Sequence, residues 1–181
     1  VMHGVPLAAQ HSNATVLGLP NVTVWSLVTD DLSNCPWNKD WYRIDMSKPG
    51  AQEYLNSIYS LYAEWGVDFI KNDCVFGNDF DDVTLSNIQG ARKAMDAAGR
   101  SFTYSLSPGF SPEINSSEVT IAASQVANIT DMYRITSDWH GWSGADNEQG
   151  WDNHFRVAQA TAQFRGAPNT YKSRSFPDMD M

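Results

Sequence analysis

The sequence predicts an α/β fold in which parallel strands alternate with amphipathic helices. Four strand-like segments, residues 67–73, 101–107, 131–138 and one running into 176–181, alternate with stretches of helical apolar periodicity. Their polar end residues Asp73, Ser107, Asp138 and Asp180 lie 34, 31 and 42 positions apart, the spacing of successive β/α units in a parallel sheet. A doubly wound sheet and an arc of a (β/α)8 barrel share that order. With three to four units present, a complete barrel of about 250 residues does not fit, and the chain reads as a fragment.

Residues 5–46 read as one loop-rich stretch with Pro, Asn, Gly and Asp clusters and scattered Trp25, Trp37 and Trp41. A first helix follows. Ser47 can cap it, Pro49 suits its first turn, and Tyr54, Leu55, Ile58, Leu61, Tyr62 and Trp65 recur at helical spacing up to a stop at Gly66. Val67-Asp68-Phe69-Ile70 then opens an apolar strand of the kind covered on both faces. The next helix is expected over 82–98, with Val83, Leu85, Ile88, Ala91 and Met95 near one face and Gly99 as its end. Strand 102–106 breaks at Pro108-Gly109, a helix near 118–127 leads to strand 132–136, and a helix over about 151–164 leads to the final segment.

Composition narrows the partners. A formal charge of -9 argues against nucleic acid, which needs clustered Lys and Arg. No run approaches the ~20 apolar residues of a membrane span, and Val1-Met2-His3-Gly4 is not a signal peptide. Four Asn-x-Ser/Thr sequons, at Asn13, Asn21, Asn115 and Asn128, suggest a secreted glycoprotein. Cys35 and Cys74 permit one disulfide or two buried thiols. His140 and His154 have no metal-ligand spacing, and no phosphate-cradling loop or nucleophile elbow occurs, so no metal or cofactor is expected.

The chemistry sits at the strand ends. Lys71 and Asp73 point to one side of their strand, Ile70 and Asn72 to the other. A lysine beside an aspartate in an apolar strand is costly to bury, and Lys71 would favour an ionised, nucleophilic Asp73; a structural ion pair is the plainer alternative. Arg134, Thr136 and Asp138 share a face of the third segment. Arg134 could bind a sugar hydroxyl or the other carboxylate, and Asp138 could donate a proton or merely cap a turn. Two carboxylates delivered to one rim are the minimal equipment of a glycosidase. Trp139, Trp142 and Trp151 are candidate stacking platforms for pyranose rings, or core residues.

The run from Tyr62 to Cys74, Tyr-Ala-Glu-Trp-Gly-Val-Asp-Phe-Ile-Lys-Asn-Asp-Cys, resembles the α-galactosidases of glycoside hydrolase family 27 (melibiases). The family pattern there is roughly Trp-Gly-Val-Asp-(apolar)-(apolar)-Lys-x-Asp. Tyr133 to Asp138 resembles its second signature, Arg-x-x-x-Asp, and Pro177-Asp178-Met179-Asp180-Met181 its third, Pro-Asp-Met-Leu. The ordered triple covers most of residues 54–181. The resemblance implies a (β/α)8 TIM barrel, of which residues 1–181 are a partial catalytic barrel lacking the N-terminal strands and a C-terminal β domain. It also implies a retaining mechanism, with Asp73 as nucleophile and Asp138 as acid/base. Lys71, Ser107, Arg134, Asp180 and Met181 would bind substrate, with Asp180-Met181 the better match in register to the family's Asp-Met. A disulfide between Cys35 and Cys74 is implied as well.

Where many members carry Glu toward the sugar 2-hydroxyl, this chain has Ser107 within Tyr104-Ser105-Leu106-Ser107-Pro108, as α-N-acetylgalactosaminidases do. The expected partner is a galactose-containing oligosaccharide or glycoconjugate. Alternatives are α-N-acetylgalactosaminides, β-L-arabinopyranosides, or a non-catalytic carbohydrate-binding role. The expected location is secreted, or vacuolar or lysosomal through the secretory pathway. As an isolated piece the chain is expected to be poorly stable and inactive, since unclosed barrel strands leave open edges.

Overall fold

A computed structural model of the chain describes residues 4–35, 38–75, 80–108, 124–134 and 175–178. The chain forms two compact units, Val1–Cys74 with Asp81–Thr103, and Val75–Phe80 with Tyr104–Met181.

The first unit opens with short antiparallel pieces where the sequence suggested only loop. Strand β1 (Val5–Pro6) pairs with β4 (Trp41–Tyr42), and β2 (Thr15–Val16) with β3 (Leu19–Thr23) around Leu17-Gly18. Two 3₁₀ turns, Leu7–His11 and Val24–Leu27, link them. The two-residue strands β1, β2 and β4 are too short to print a period-2 pattern, and β3 carries a proline that masks one. They are held instead by buried Val5, Val16, Leu27 and Ile44. Gly4 is required here, because a Cβ on it would lie 2.4 Å from the Tyr42 carbonyl oxygen.

Helix α1 (Ala51–Glu64) buries Ala51, Leu55 and Tyr59. Its N-cap is Gly50 in the left-handed region (φ 93°), not Ser47. Ser47 is occupied upstream, its N–H and hydroxyl both donating to the Asp45 carboxylate at 3.0 and 2.6 Å. The helix ends as expected: Gly66 (φ 76°) donates to Ala63 O, and Val67 N–H reaches back to Tyr62 O, the paired bonds of a Schellman motif.

Strand β5 (Phe69–Val75) follows, and α2 (Asp82–Ala97) packs against α1. Asp81 caps α2 by accepting Thr84 N–H at 2.7 Å. The buried face of α2 is Asn87, Ile88, Gly90, Ala91, Ala94 and Met95. Val83, expected near that face, is exposed. Phe69, at the start of β5, is also exposed, whereas Val75 on the same face is buried. Thr103 N–H bonds the carbonyl of Asp68 just before β5, and the rings of Tyr59 and Phe102 meet edge to face.

The second unit holds three parallel strands in the order β6 (Thr103–Pro108, its first residue belonging to the first unit), β7 (Met132–Arg134) and β8 (Phe176–Asp178). Ser105 pairs with Met132, and Met132 in turn with Phe176. Asp131 aligns β6 and β7 by donating its N–H to Tyr104 O and accepting Tyr104 N–H on its carboxylate, at 2.8 and 2.9 Å. Buried hydroxyls of Thr130 and Ser175 meet at 2.8 Å, tying the approach to β8 to that of β7. The helical turn at 124–126 carries Gln125, whose amide bonds both the N–H and the carbonyl of Phe80. The helix expected over 151–164 lies outside the described residues. Among those described, no helix is long and apolar enough to cross a membrane.

Candidate active site

Strand β5 brings Lys71 and Asp73 to one face. Ile70 and Asn72 are 2% and 1% exposed on the opposite face, while Lys71 and Asp73 are half-buried. The alternation is the one that a strand's period of two requires. Asp73 stands two residues before the strand's carboxyl end. Its Oδ1 accepts the N–H of Cys74 at 2.8 Å, so the plane of the carboxylate is fixed by the main chain of the next residue.

Cys74 itself sits in the left-handed region, φ 63°, an uncommon place for a residue with a Cβ. It is bonded to Cys35, with the two Cα atoms 5.7 Å apart. Cys35 is buried on one arm of a small antiparallel excursion. Thr29 N–H bonds Arg43 O, Arg43 N–H bonds Ser33 O, and Cys35 N–H bonds Trp41 O. The Arg43 guanidinium reaches Asp81 and Thr84 at the start of α2. Lys48 secures the other side by donating to Val28 O and Asp30. Within the excursion, the Asp31 carboxylate accepts the N–H of Ser33 at 3.1 Å.

In the second unit Ser107 and Arg134 are buried, at 2% and 6% exposure. Asp178 is the register partner of Arg134 across β7 and β8. Level residues of parallel strands present their side chains to the same face, so Asp178 shares the face of Arg134. Asp178 is not among the residues that the sequence singles out, which on register are Asp180 and Met181. Beside Arg134, burial pushes the Tyr133 phenol up to about 12. Asp138, Asp180, Met181, Thr136, Trp139, Trp142, Trp151, His140 and His154 lie outside the described residues. Among the described residues no cluster of three metal-ligating side chains forms.

The profile of the melibiase family described as alpha galactosidase A matches residues 41–166. The chain belongs to glycoside hydrolase family 27. A search of curated proteins gave no match. Among solved structures, the chain is similar to a family 27 β-L-arabinopyranosidase from Geobacillus stearothermophilus. The TM-score is 0.76 at 30% identity, over 100% of this chain and 37% of that one. An Asp-to-Ala variant of that enzyme in complex with arabinose gives 0.74 at 29% identity, with the same coverage. A putative α-N-acetylgalactosaminidase from Bacillus halodurans C-125 gives 0.54 at 42% identity, over 61% of this chain and 26% of that one. The chain thus spans 37% or less of these relatives' lengths. Its fold is part of the family 27 (β/α)8 barrel, and the disulfide that the family resemblance implied is present.

Proposed function

We propose that this chain is part of a retaining exo-glycosidase that removes terminal α-D-galactosyl residues from oligosaccharides or glycoconjugates. Residues 1–181 supply part of its catalytic barrel. The observation that carries the reading is Asp73: a half-buried carboxylate near the carboxyl end of a family 27 strand, on the face of Lys71 and anchored to the main chain. Strand carboxyl ends are where barrel enzymes build their sites.

In this scheme Asp73 attacks the anomeric carbon while Asp138 gives its proton to the leaving oxygen, and the glycosidic bond breaks. Water then attacks the glycosyl ester, its proton passes to Asp138, and Asp73 departs as a carboxylate. Lys71, on the same face of β5 as Asp73, would bind the sugar beside it. Arg134, Asp180 and Met181 would hold the sugar, with Ser107 near its 2-substituent. Sequons Asn13, Asn21 and Asn128 are on exposed residues, which suits a secreted or lysosomal glycoprotein.

A second reading keeps the mechanism and changes the sugar. The relative that aligns with the whole chain is named a β-L-arabinopyranosidase, and that sugar has the ring configuration of α-galactose without its C6 group. The test is hydrolysis of nitrophenyl α-D-galactoside, α-N-acetylgalactosaminide and β-L-arabinopyranoside by the full-length protein, with Asp73→Asn alongside. Fastest turnover of the galactoside, lost by several orders of magnitude in the variant, is the expected result. Binding of galactose with no turnover of any glycoside would leave a carbohydrate-binding protein.

A further inference from the structure

Resting on that reading, we propose that Cys74 is a positioning residue for the nucleophile. Its main-chain N–H orients the carboxylate and assists its departure in the second half of the reaction, while the left-handed backbone at Cys74 and the disulfide to Cys35 hold the 73–74 peptide in place. Three observations meet at this one residue. Cys74 has φ 63°, its N–H bonds Asp73 Oδ1 at 2.8 Å, and its side chain is tied to Cys35. At the other described positive-φ positions the chain uses glycine at Gly18, Gly50, Gly66 and Gly99, apart from Leu32. Glycine takes that conformation freely, whereas a residue with a Cβ does not. Cys74 is thus held, on this proposal, where its own preference would not put it.

The hydrogen bond assigns different tasks to the two carboxylate oxygens. With Oδ1 engaged by Cys74, Oδ2 is the oxygen offered to the anomeric carbon. As Oδ2 attacks, negative charge leaves the carboxylate and the bond to Oδ1 weakens, so its value in that step is geometric. In hydrolysis of the glycosyl ester the charge returns to the carboxylate. There the N–H strengthens toward the transition state, in the manner of an oxyanion donor. Loss of the alignment therefore slows the release step in particular.

The test compares two variants of the full-length protein that lack the same disulfide, Cys35→Ser/Cys74→Ala and Cys35→Ser/Cys74→Gly, using a nitrophenyl galactoside with its good leaving group. For the alanine variant the expected result is a fall in kcat of about tenfold with a parallel fall in KM, and accumulation of glycosyl-enzyme visible by intact mass. The glycine variant, free to take the left-handed φ, is expected to recover most of the lost kcat. Equal losses in the two variants, or a raised KM at unchanged kcat, would mean that the crosslink only anchors the loop, and would overturn the proposal. Should neither variant fold, the same split of kcat and KM is read on the native protein before and after mild reduction. A drop in kcat with KM, reversed on reoxidation, supports the proposal, and an unchanged kcat overturns it. Absence of turnover in the unmodified protein on all three glycosides would sink the enzymatic reading itself, and this one with it.

Discussion

The side-chain amide of Asn87 pairs with both main-chain polar groups of Ile44, accepting its N–H at 3.3 Å and donating to its carbonyl at 2.7 Å. One side chain on α2 thereby does for the excursion what a neighbouring strand would otherwise do. Ile44 is fully buried, so neither group has easy access to water. Asn87→Ala is expected to destabilise the protein by about 2–4 kcal/mol, the cost of leaving two buried main-chain groups unpaired. Urea unfolding checks this: a midpoint within error of the parent would show that the two groups find other partners.

Asp81 joins the same excursion to α2 from the helix end. Burial opposes its charge, but hydrogen bonds from the Arg43 guanidinium and from Thr84 outweigh that, so its carboxyl lies below the usual 3.8. Because folding favours the ionised form, Asp81 stabilises the fold above the unfolded value, and the contribution is lost as pH falls through the depressed folded value. Its side chain is largely exposed, so the ion pair itself contributes little. Most of the expected loss of about 1 kcal/mol in Asp81→Ala is the missing cap. The deficit should shrink in unfolding curves taken from about pH 6 down to about pH 2.5; a constant deficit would place the effect elsewhere.

Tyr133 works in the opposite direction. Burial raises its phenol from 10.0 to about 12, so the unfolded chain loses that proton first. Its contribution is complete below about pH 10 and disappears as pH rises through the folded value. Tyr133→Phe should change stability at neutral pH by no more than about 1.5 kcal/mol and should shift alkaline unfolding to higher pH. An unshifted alkaline transition would contradict the assignment.

Removing the Asp73 carboxylate offers a separate check on its role. Asp73→Gly should abolish turnover of a nitrophenyl α-galactoside, and added azide should restore release of nitrophenol with formation of a β-galactosyl azide. An azide product of retained configuration, or no rescue, would argue that Asp73 is not the nucleophile.

Gly90 sits where α2 meets Met46 and Leu55; a Cβ there would come within 2.5 Å of Met46 Cε and 3.0 Å of Leu55 Cδ1. Met46 can swing away, Leu55 on α1 less easily. Gly90→Val should cost about 1–3 kcal/mol through overpacking, whereas Gly90→Ala should cost less because helix propensity offsets the contact. Thermal melts of the pair should keep that order.

The parts of this fold that follow from periodicity were legible in the sequence. The two faces of β5 come directly from alternation, so the grouping of Lys71 with Asp73 needed no coordinates. Gly66 and Gly99 mark helix ends because few residues other than glycine take their φ freely. Other features depend on partners far along the chain. Ser47 looks like a cap until Asp45 is seen to occupy it, and α1 begins at Gly50 instead. Asn87 lies on a buried face but is polar, so an apolar pattern passes over it and nominates Val83. The disulfide came from family resemblance, since two cysteines fix no pairing by themselves. The left-handed turn at Cys74 left no mark in the letters, because cysteine is not a residue type that signals that conformation.

The Cys35–Cys74 bond also closes the chain into a covalent ring that contains the whole of α1. A protease cut anywhere within that ring would leave both pieces joined through sulfur. The nicked protein would run at its original size on a gel until a thiol is added, and one cleavage would not release β5 from the segment that precedes it.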